Sequence, residues 1–316
     1  MSDSLQSLLR EVASVQAGQS RAAARLMSLV ADQPEITPEV LVGLYTAPQH
    51  RLLLGITGPP GVGKSTLTDA LVAEFRARGP ARRIGVIAVD PSSPFSGGAI
   101  LGDRVRMMRH ASDPNIFIRS LAARGRLGGL AGGIAATVRI MGALESDIVV
   151  IETVGVGQSE MDVRNIADLV AVVLAPGFGD EIQLLKAGLL EIADFFVVNK
   201  ADRPGAAELQ SALTSAMPQQ TAFLVSATKN TGVPELVHHL EGLTETNQTD
   251  WVSQRSEKTD LIIRQALVER AGNRLRGIAE ANGLVCDLLG RVVQGRQSFD
   301  DAVQELLIQA ASSAAD

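Results

Sequence analysis

Residues Arg51–Thr66 read RLLLGITGPPGVGKST and carry the strongest indication of the fold in this chain. The apolar first half of this stretch predicts a buried strand, and its second half fits the pattern G-x-x-x-x-G-K-[ST] at every fixed position. The glycines of such a loop let backbone N–H groups turn toward a phosphate, and the following helix adds the positive end of its dipole. We therefore predict that Lys64 contacts the β- and γ-phosphates of a nucleoside triphosphate and that Ser65 binds Mg²⁺. The predicted phosphate-binding residues are Gly58, Pro59, Pro60, Gly61, Val62, Gly63, Lys64, Ser65 and Thr66.

A glycine-rich turn can also merely cap a helix, so a second motif is needed to support nucleotide binding. NKAD, with Asn199, Lys200 and Asp202, follows a later apolar run, and Ser226 and Ala227 follow the next one. The Asp202 carboxylate can accept hydrogen bonds from the N1–H and exocyclic amine of guanine, whereas adenine presents an acceptor at that position. NKAD alone is also compatible with a helix cap. Its place after a strand and downstream of the phosphate loop favours GTP over ATP.

Composition limits the class of protein. The 316 residues are 46% hydrophobic and 20% charged, with a net charge of −6, which is typical of one main globular domain with appendages. We expect a cytoplasmic enzyme without a membrane span or secretory signal, because no run of 18 apolar residues occurs and the first residues lack a continuous apolar segment. A single cysteine excludes an internal disulfide framework, and the modest acidity argues against a nucleic-acid partner.

Seven short apolar runs alternate with helical segments through the middle of the chain. Continuous apolar strands separated by helices predict an α/β fold, a P-loop NTPase domain with a mostly parallel central sheet flanked by helices. Ligands of such sheets bind at the carboxyl ends of the strands. The predicted strands are Leu52–Thr57, Ile84–Val89, Ile116–Ser120, Ile148–Ile151, Leu169–Leu174, Phe195–Val198 and Ala222–Val225.

Composition and periodicity also divide the chain. We predict an N-terminal helical extension over residues 1–47, the nucleotide-binding domain over 48–245, and a C-terminal helical tail over 251–316. The polar stretch Leu243–Asp250 is predicted to connect the nucleotide-binding domain to the C-terminal tail. Periodicity alone leaves open whether the tail packs on its own domain or forms a dimerisation arm.

Two carboxylates, Asp90 and Asp103, lie after the second predicted strand in a Ser- and Gly-rich stretch. Each could simply cap a turn or helix, but beside a phosphate loop both suit Mg²⁺. Further along, Glu152 and Gly155 form E-x-x-G, where Glu152 could reach Mg²⁺ and the Gly155 N–H could sense the γ-phosphate. Gln158 is the candidate for positioning the attacking water, and the alternative is a purely structural role for this polar loop residue. Lys64, Asp90, Glu152 and Gln158 are therefore the predicted catalytic residues.

A third loop, residues 176–188, contains Asp180, Glu181, Gln183 and Lys186. Local physics predicts only a helix N-terminus, where acidic residues interact favourably with the dipole. A functional role for this loop comes from the resemblance described next.

Five segments, in order, resemble the MeaB/ArgK group of P-loop GTPases: GPPGVGKST, AVDPSSPFSGGAILGDRVRM, ETVGVGQSE, PGFGDE and NKAD. This group includes the human methylmalonic aciduria type A protein and consists of chaperones of adenosylcobalamin-dependent acyl-CoA mutases. The likeness extends over essentially the whole chain and is least specific in the tail. It implies that Asp90, Asp103 and Glu152 belong to the metal and switch apparatus. It further implies that the third loop is a switch that communicates with the mutase, and that the tail is the dimerisation arm of a homodimer.

The resemblance implies a GTPase that uses GTP, GDP and Mg²⁺ to gate adenosylcobalamin delivery to a mutase and to protect or reactivate that enzyme. One alternative is a metallochaperone GTPase for nickel or cobalt, which would need soft or imidazole ligands. The adjacent His238 and His239 point about 100° apart on a helix, a poor chelating pair. Another alternative is a kinase of a transport-binding protein, and a third is a nucleotide-regulated scaffold that scarcely hydrolyses GTP.

Overall fold

The structure, a computed structural model, divides into two compact units, Met1–Thr259 and Asp260–Asp316. It describes residues 3–33, 36–47, 50–91, 108–110, 112–123, 129–153, 159–177, 189–281 and 284–313. The helices are α1 (Asp3–Gln16), α2 (Ser20–Asp32), α3 (Thr37–Gly43), α4 (Lys64–Arg78), α5 (Gly129–Ala143), α6 (Ser159–Ile166), α7 (Ala206–Ala216), α8 (Val233–Ala281), α9 (Leu284–Val293) and α10 (Phe299–Ser313). A short 3₁₀ helix spans Met108–His110.

The first unit is built on a sheet of order β3-β2-β4-β1-β5-β6-β7, in which every pair of neighbouring strands is parallel. The predicted fold class is confirmed. The strands are β1 (Leu52–Thr57), β2 (Ile84–Pro91), β3 (Ile116–Ala123), β4 (Ile148–Thr153), β5 (Leu169–Leu174), β6 (Phe195–Val198) and β7 (Thr221–Leu224). Strands β2, β3 and β4 run two or three residues beyond their predicted ends, because pairing with a neighbouring strand continues past the apolar runs used for the prediction.

Helices cover both faces of this sheet. Even-numbered side chains of β1 pack with α4 and with the first turns of α8 in the main hydrophobic core, which includes Phe75 and Trp251. On the opposite face, Gly55 lies so close to α6 that a Cβ there would stand 2.5 Å from Val163 Cγ1. Strands β1, β4, β5 and β6 are buried at every residue, in agreement with their continuous hydrophobicity.

The N-terminal helices form an additional layer. Helices α2 and α3 pack against α5, and α1 packs against α2. Buried side chains on one stripe of α2, including Leu26 and Met27, make this contact. The predicted amphipathic helices are thus present and dock on the helical layer of the sheet domain.

The predicted polar bridge Leu243–Asp250 is helical, because α8 continues through this stretch. Its buried stripe passes from Leu240 through Thr244 to Trp251, and the Thr244 hydroxyl donates to the Leu240 carbonyl at 2.8 Å. Spacing of three to four residues keeps these positions on one face even where the average composition is polar. The boundary between the compact units falls within the same helix, after Thr259.

The second unit contains the end of α8 with α9 and α10. Arg291 of α9 pairs with Glu305 of α10 at 2.8 Å and with Asp287 at 3.2 Å. Several large apolar side chains of this unit are exposed: Leu261, Leu267, Val268, Leu289, Val293, Phe299, Val303, Leu307 and Ile308. Within the described ranges, no helix has the length and apolar character that a membrane crossing requires.

The amino edge of the sheet is closed by aspartates that immediately precede strands. Asp147, Asp168 and Asp194 stand before β4, β5 and β6, and each carboxylate accepts a main-chain N–H from a neighbouring chain segment, at 2.9, 2.7 and 2.7 Å. Asp168 also forms an ion pair with Arg255 of α8, and both side chains are at most 5% exposed. This pair fixes α8 beneath the strands.

Candidate functional site

Three glycines of the loop after β1 have positive φ, Gly58, Gly61 and Gly63, and two of them pack closely against neighbouring segments. Gly58, at φ 143°, lies so close to β5 that a Cβ would stand 2.1 Å from the Val173 carbonyl oxygen. Gly63, at φ 94°, would place a Cβ 2.6 Å from Asn199 Nδ2. Any side chain would force the loop away from these neighbours. The motif's fixed glycines therefore pack the phosphate loop against both β5 and the NKAD segment.

Lys64, the first residue of α4, turns back over the loop. Its Nζ donates to the Gly58 and Pro59 carbonyls, each at 2.8 Å, and the residue is only 6% exposed. Burial of an ammonium is costly unless oxygen acceptors surround it. Phosphate oxygens are acceptors of the same kind and carry negative charge, so this ammonium is placed to exchange carbonyl partners for a phosphate.

Ser65 and Glu152 meet behind the loop. The Ser65 hydroxyl donates to Glu152 Oε1 at 2.6 Å, and Glu152 is 3% exposed. Glu152 lies near the carboxyl end of β4, in register with Ile56 of β1. A hydroxyl and a carboxylate in contact are hard oxygen ligands of the kind that Mg²⁺ takes. The donor set therefore fits the metal that the sequence predicted.

Asn199 joins the phosphate loop to the segment that follows β7. Its Nδ2 donates to the Val62 carbonyl at 2.9 Å, and its Oδ1 accepts from the Ala227 N–H at 3.2 Å. The next residue, Lys200, has a left-handed backbone (φ 58°), and its Nζ donates to the Gly61 carbonyl at 2.7 Å. Burial, with a smaller contribution from the nearby Arg203 cation, lowers the pKa of the Lys200 ammonium. Asparagine and lysine together hold two sequence-distant loops in one arrangement.

Asp202 is oriented by the segment after β7. The Ser226 hydroxyl donates to Asp202 Oδ1 at 2.6 Å, and Lys229 Nζ lies 3.6 Å from Oδ2. The Ser226 hydrogen bond, assisted by the charge of Lys229, lowers the pKa of the Asp202 carboxyl, so the group is an anionic acceptor near neutral pH. Sequence reasoning missed Lys229. The isolated β-bridge between Ser226 and Thr231 turns the chain and places Lys229 close to the Asp202 carboxylate.

The structure brings the phosphate loop, Glu152, NKAD and Ser226–Ala227 to one edge of the sheet. For Asp90 it gives the backbone, which pairs with Ala122 near the end of β2. The other predicted metal, switch and partner-contacting residues lie outside the described residues and stay predictions. They are Asp103, Gly155, Gln158, Asp180, Glu181, Gln183 and Lys186.

Residues 23–278 match the family model described as methylmalonyl-CoA mutase-associated GTPase MeaB. The chain belongs to the MeaB family. This match covers most of the chain and confirms the resemblance drawn from the five segments.

Individual relatives agree with this MeaB assignment. A Mycobacterium bovis protein named as a probable GTPase is 37% identical over 279 residues, 81% of this chain and 82% of that protein. The mitochondrial methylmalonic aciduria type A homolog of Caenorhabditis elegans is 42% identical over 149 residues, 47% of this chain and 37% of the homolog. A Pyrococcus abyssi protein named as a GTPase is 52% identical over 189 residues, 60% of this chain. That match spans only 58% of the Pyrococcus protein's own length.

A solved structure extends the comparison to the fold of this MeaB-family chain. The crystal structure of LAO/AO transport system kinase superposes with a TM-score of 0.65, covering 98% of this chain and 99% of that one. The two sequences are 23% identical over this match, so the likeness shows a shared fold.

Proposed function

We propose that this protein binds and hydrolyses GTP and uses the nucleotide cycle to assist an adenosylcobalamin-dependent acyl-CoA mutase. The observation that carries the nucleotide part is the bridge made by Asn199, which contacts Val62 of the phosphate loop and Ala227 of the base-recognition loop. With Asp202 held by Ser226, a single ligand carrying both phosphates and a guanine fits this edge.

The residues suggest how hydrolysis is promoted. Lys64 and the main-chain N–H groups of the loop would hold the β- and γ-phosphates and stabilise the negative charge that develops on the oxygens during in-line attack by water. Ser65 and Glu152 would hold Mg²⁺, which when bound neutralises phosphate charge. Ser65 and Glu152 contact each other at 2.6 Å, so both oxygens are within reach of one ion.

Assistance to a mutase requires a difference between two nucleotide states. The mutase must bind the GTP-loaded and GDP-loaded forms with unequal affinity, since otherwise nucleotide identity has no influence on the complex. Linkage then requires that the mutase alters nucleotide affinity by the same factor. Family membership supports the partner, because the matched family is described as associated with methylmalonyl-CoA mutase.

The deciding experiment is steady-state hydrolysis of GTP, with ATP as control, in the presence and absence of a cobalamin-dependent mutase from the same organism. We expect GTP to be preferred and the mutase to accelerate turnover. Hydrolysis without acceleration would retain the GTPase and refute this client. Equal use of ATP would refute guanine recognition.

Two alternatives are separable by assay. A kinase would transfer the γ-phosphate of radiolabelled nucleotide to a binding protein, whereas a GTPase releases it as inorganic phosphate. A metallochaperone would bind nickel or cobalt through imidazole or thiolate ligands. Of the adjacent histidines on α8, His239 packs on Phe223, with ring centroids 5.0 Å apart, while His238 is exposed. The two rings thus lie in different surroundings, which supports the prediction that they do not chelate together.

We further propose that the C-terminal unit is a homodimerisation arm. Its exposed side chains Val293 and Phe299 are 78% and 72% accessible, and exposed apolar groups in this number are typical of an interface. Sedimentation analysis would test this, with a dimer expected for the full chain. A monomer at micromolar concentration would refute it.

A further inference from the structure

The turn after β7 brings a lysine close to the carboxylate that is proposed to recognise guanine. Ser226 and Thr231 exchange main-chain hydrogen bonds at 2.9 and 3.2 Å, and the Lys229 N–H donates to the Ser226 carbonyl at 3.1 Å. Asn230 has a left-handed backbone with φ 54°, a conformation that asparagine adopts more readily than most residues. These contacts close residues 226–231 into one turn, which we call the β7 turn, and they fix where the Lys229 side chain begins.

The β7 turn supplies partners for both oxygens of the Asp202 carboxylate. The Ser226 hydroxyl donates to Oδ1 at 2.6 Å, whereas Lys229 Nζ lies 3.6 Å from Oδ2. The second distance is too long for a hydrogen bond but short enough for attraction between the two charges. Lys229 therefore compensates charge at Oδ2 without using the hydrogen-bonding capacity of that oxygen. The Asp202 side chain is 29% accessible, so a ligand can still reach it.

We propose that Lys229 is a positioning residue for guanine selectivity, which acts on the nucleotide through Asp202. Its cation stabilises the carboxylate anion and leaves Oδ2 open to the N1–H or the exocyclic amine of guanine. Direct contact between Lys229 and the base is not required. This inference rests on the proposed function, and it adds to the base-recognition site a residue outside the NKAD and Ser226–Ala227 motifs.

The physical reason is the cost of removing water from a carboxylate. A base that docks on Asp202 displaces water from the anion, and the anion is destabilised unless an opposite charge lies nearby. Guanine supplies hydrogen bonds but no charge, so the cation of Lys229 offsets part of this cost. Adenine presents an acceptor at the same position and cannot form these hydrogen bonds, so its binding gains little from the lysine.

The exposure of the pair sets the size of the expected effect. The Lys229 side chain is 63% accessible, and exposed ion pairs contribute little and are screened by salt. Lys229→Met should therefore reduce the preference for GDP over ADP about 2- to 5-fold at low ionic strength. Lys229→Arg keeps the cation and should preserve most of the preference.

The test is competition of GDP and of ADP against fluorescent GDP, at low salt and at about 0.5 M NaCl. The ratio of the two dissociation constants is compared, because both nucleotides carry the same phosphates and salt effects at the phosphate loop cancel. High salt should lower the wild-type ratio toward that of Lys229→Met, whose own ratio should change little. A purely structural effect of the substitution would be equal at both salt concentrations. In an Asp202→Asn background, Lys229→Met should have no further effect.

Arg203→Gln is the matched control, because it removes one cation from the residue next to Asp202. Arg203 is exposed and, within the described part of the chain, forms no ion pair with Asp202, so its loss should leave the ratio unchanged. An equal loss in Arg203→Gln would indicate a general effect of net charge and would overturn this inference. An unchanged ratio in Lys229→Met would also overturn it, as would a higher one, which would mean that the lysine competes with the base. The proposed function fails separately, if wild type itself binds GDP and ADP alike.

Discussion

The two edges of the central sheet differ in the partners of a few charged groups. At the amino edge, carboxylates are partnered by main-chain N–H groups and by the buried guanidinium of Arg255. At the carboxyl edge, the ammonium groups of Lys64 and Lys200 are partnered by loop carbonyls. The first arrangement pairs charge with charge inside the protein, so it has nothing to gain from a ligand. Phosphate oxygens accept the same hydrogen bonds as these carbonyl oxygens and also carry negative charge, so a phosphate is a stronger acceptor for the two ammonium groups.

Stability and nucleotide binding are expected to depend on different edges of the sheet. The buried Asp168–Arg255 pair holds α8 to the strands, while Lys64 and Lys200 lie where the strands end and donate to carbonyls of the phosphate loop. Substitutions at the amino edge should therefore change the free energy of unfolding, and substitutions at the carboxyl edge should change nucleotide affinity.

The largest effect is expected from Asp168→Ala. This change leaves the Arg255 guanidinium buried without its anion and removes the acceptor of the Leu53 N–H. The free energy of unfolding should fall by about 3–5 kcal/mol, measured by urea denaturation. The control is Asp147→Ala, a half-buried carboxylate that accepts the Arg83 N–H, for which about 1–2 kcal/mol is expected. Equal losses of unfolding free energy in the two variants would show that the buried Asp168–Arg255 pair stabilises the fold no more than the half-buried carboxylate does.

Lys64→Ala should have the largest effect on nucleotide affinity. The variant loses the predicted contacts of the Lys64 ammonium with the β- and γ-phosphates. GTP should therefore bind about 10²- to 10³-fold more weakly, measured by calorimetry. The matched control is Lys258→Ala at the amino edge, whose ammonium also donates to a carbonyl, that of Ala167, at 2.9 Å. That variant should bind GTP as wild type does. Unchanged affinity in Lys64→Ala would contradict the assignment of the site.

Acid pH should weaken the amino edge through His50. Its ring nitrogens face the Ser146 and Val138 carbonyls at 2.8 and 2.9 Å, and complete burial lowers its pKa to about 4. Because the unfolded state then binds the proton more readily, His50's stabilising contribution is complete above about pH 6.5 and is lost as pH falls toward 4. The loss should approach about 3 kcal/mol at pH 4.

Urea denaturation of wild type and His50→Gln across this pH range measures that contribution. The variant should be less stable at pH 7 and show a flatter decline on acidification. Parallel pH curves would mean that other groups cause the acid sensitivity.

The smallest effect is expected from Asp202→Asn, which changes selectivity more than overall binding. Replacing the anionic acceptor should reduce the preference for GTP over ATP roughly 10- to 100-fold, measured by competition against fluorescent GDP. Asp194→Asn, at the amino edge, is the control and should leave the preference intact. An undiminished ratio in Asp202→Asn would exclude base recognition by this carboxylate.

Much of the carboxyl edge could be predicted from sequence because its chemistry is local. Gly58, Gly63 and Lys64 have fixed spacing within one loop, and the runs that became β1, β5 and β6 were predicted to the residue. The hydrogen bond from Asn199 to the Val62 carbonyl joins residues 137 positions apart, so no local sequence pattern predicts it. The continuity of α8 was missed for a related reason: its buried stripe is periodic, but the average composition of the stretch is polar.

The residues alone predict the parallel α/β class, the phosphate loop and the guanine motif, because short-range spacing and side-chain chemistry suffice for each. That Asp168 pairs with Arg255 under the strands, and Asp69 with Arg109 beside the phosphate-loop helix, is visible only in the folded chain. Both are ion pairs between distant segments, and any arginine in a sequence has many carboxylates it could meet. Packing of the helices on the sheet selects one of them by burying the pair or by placing it on a shared face.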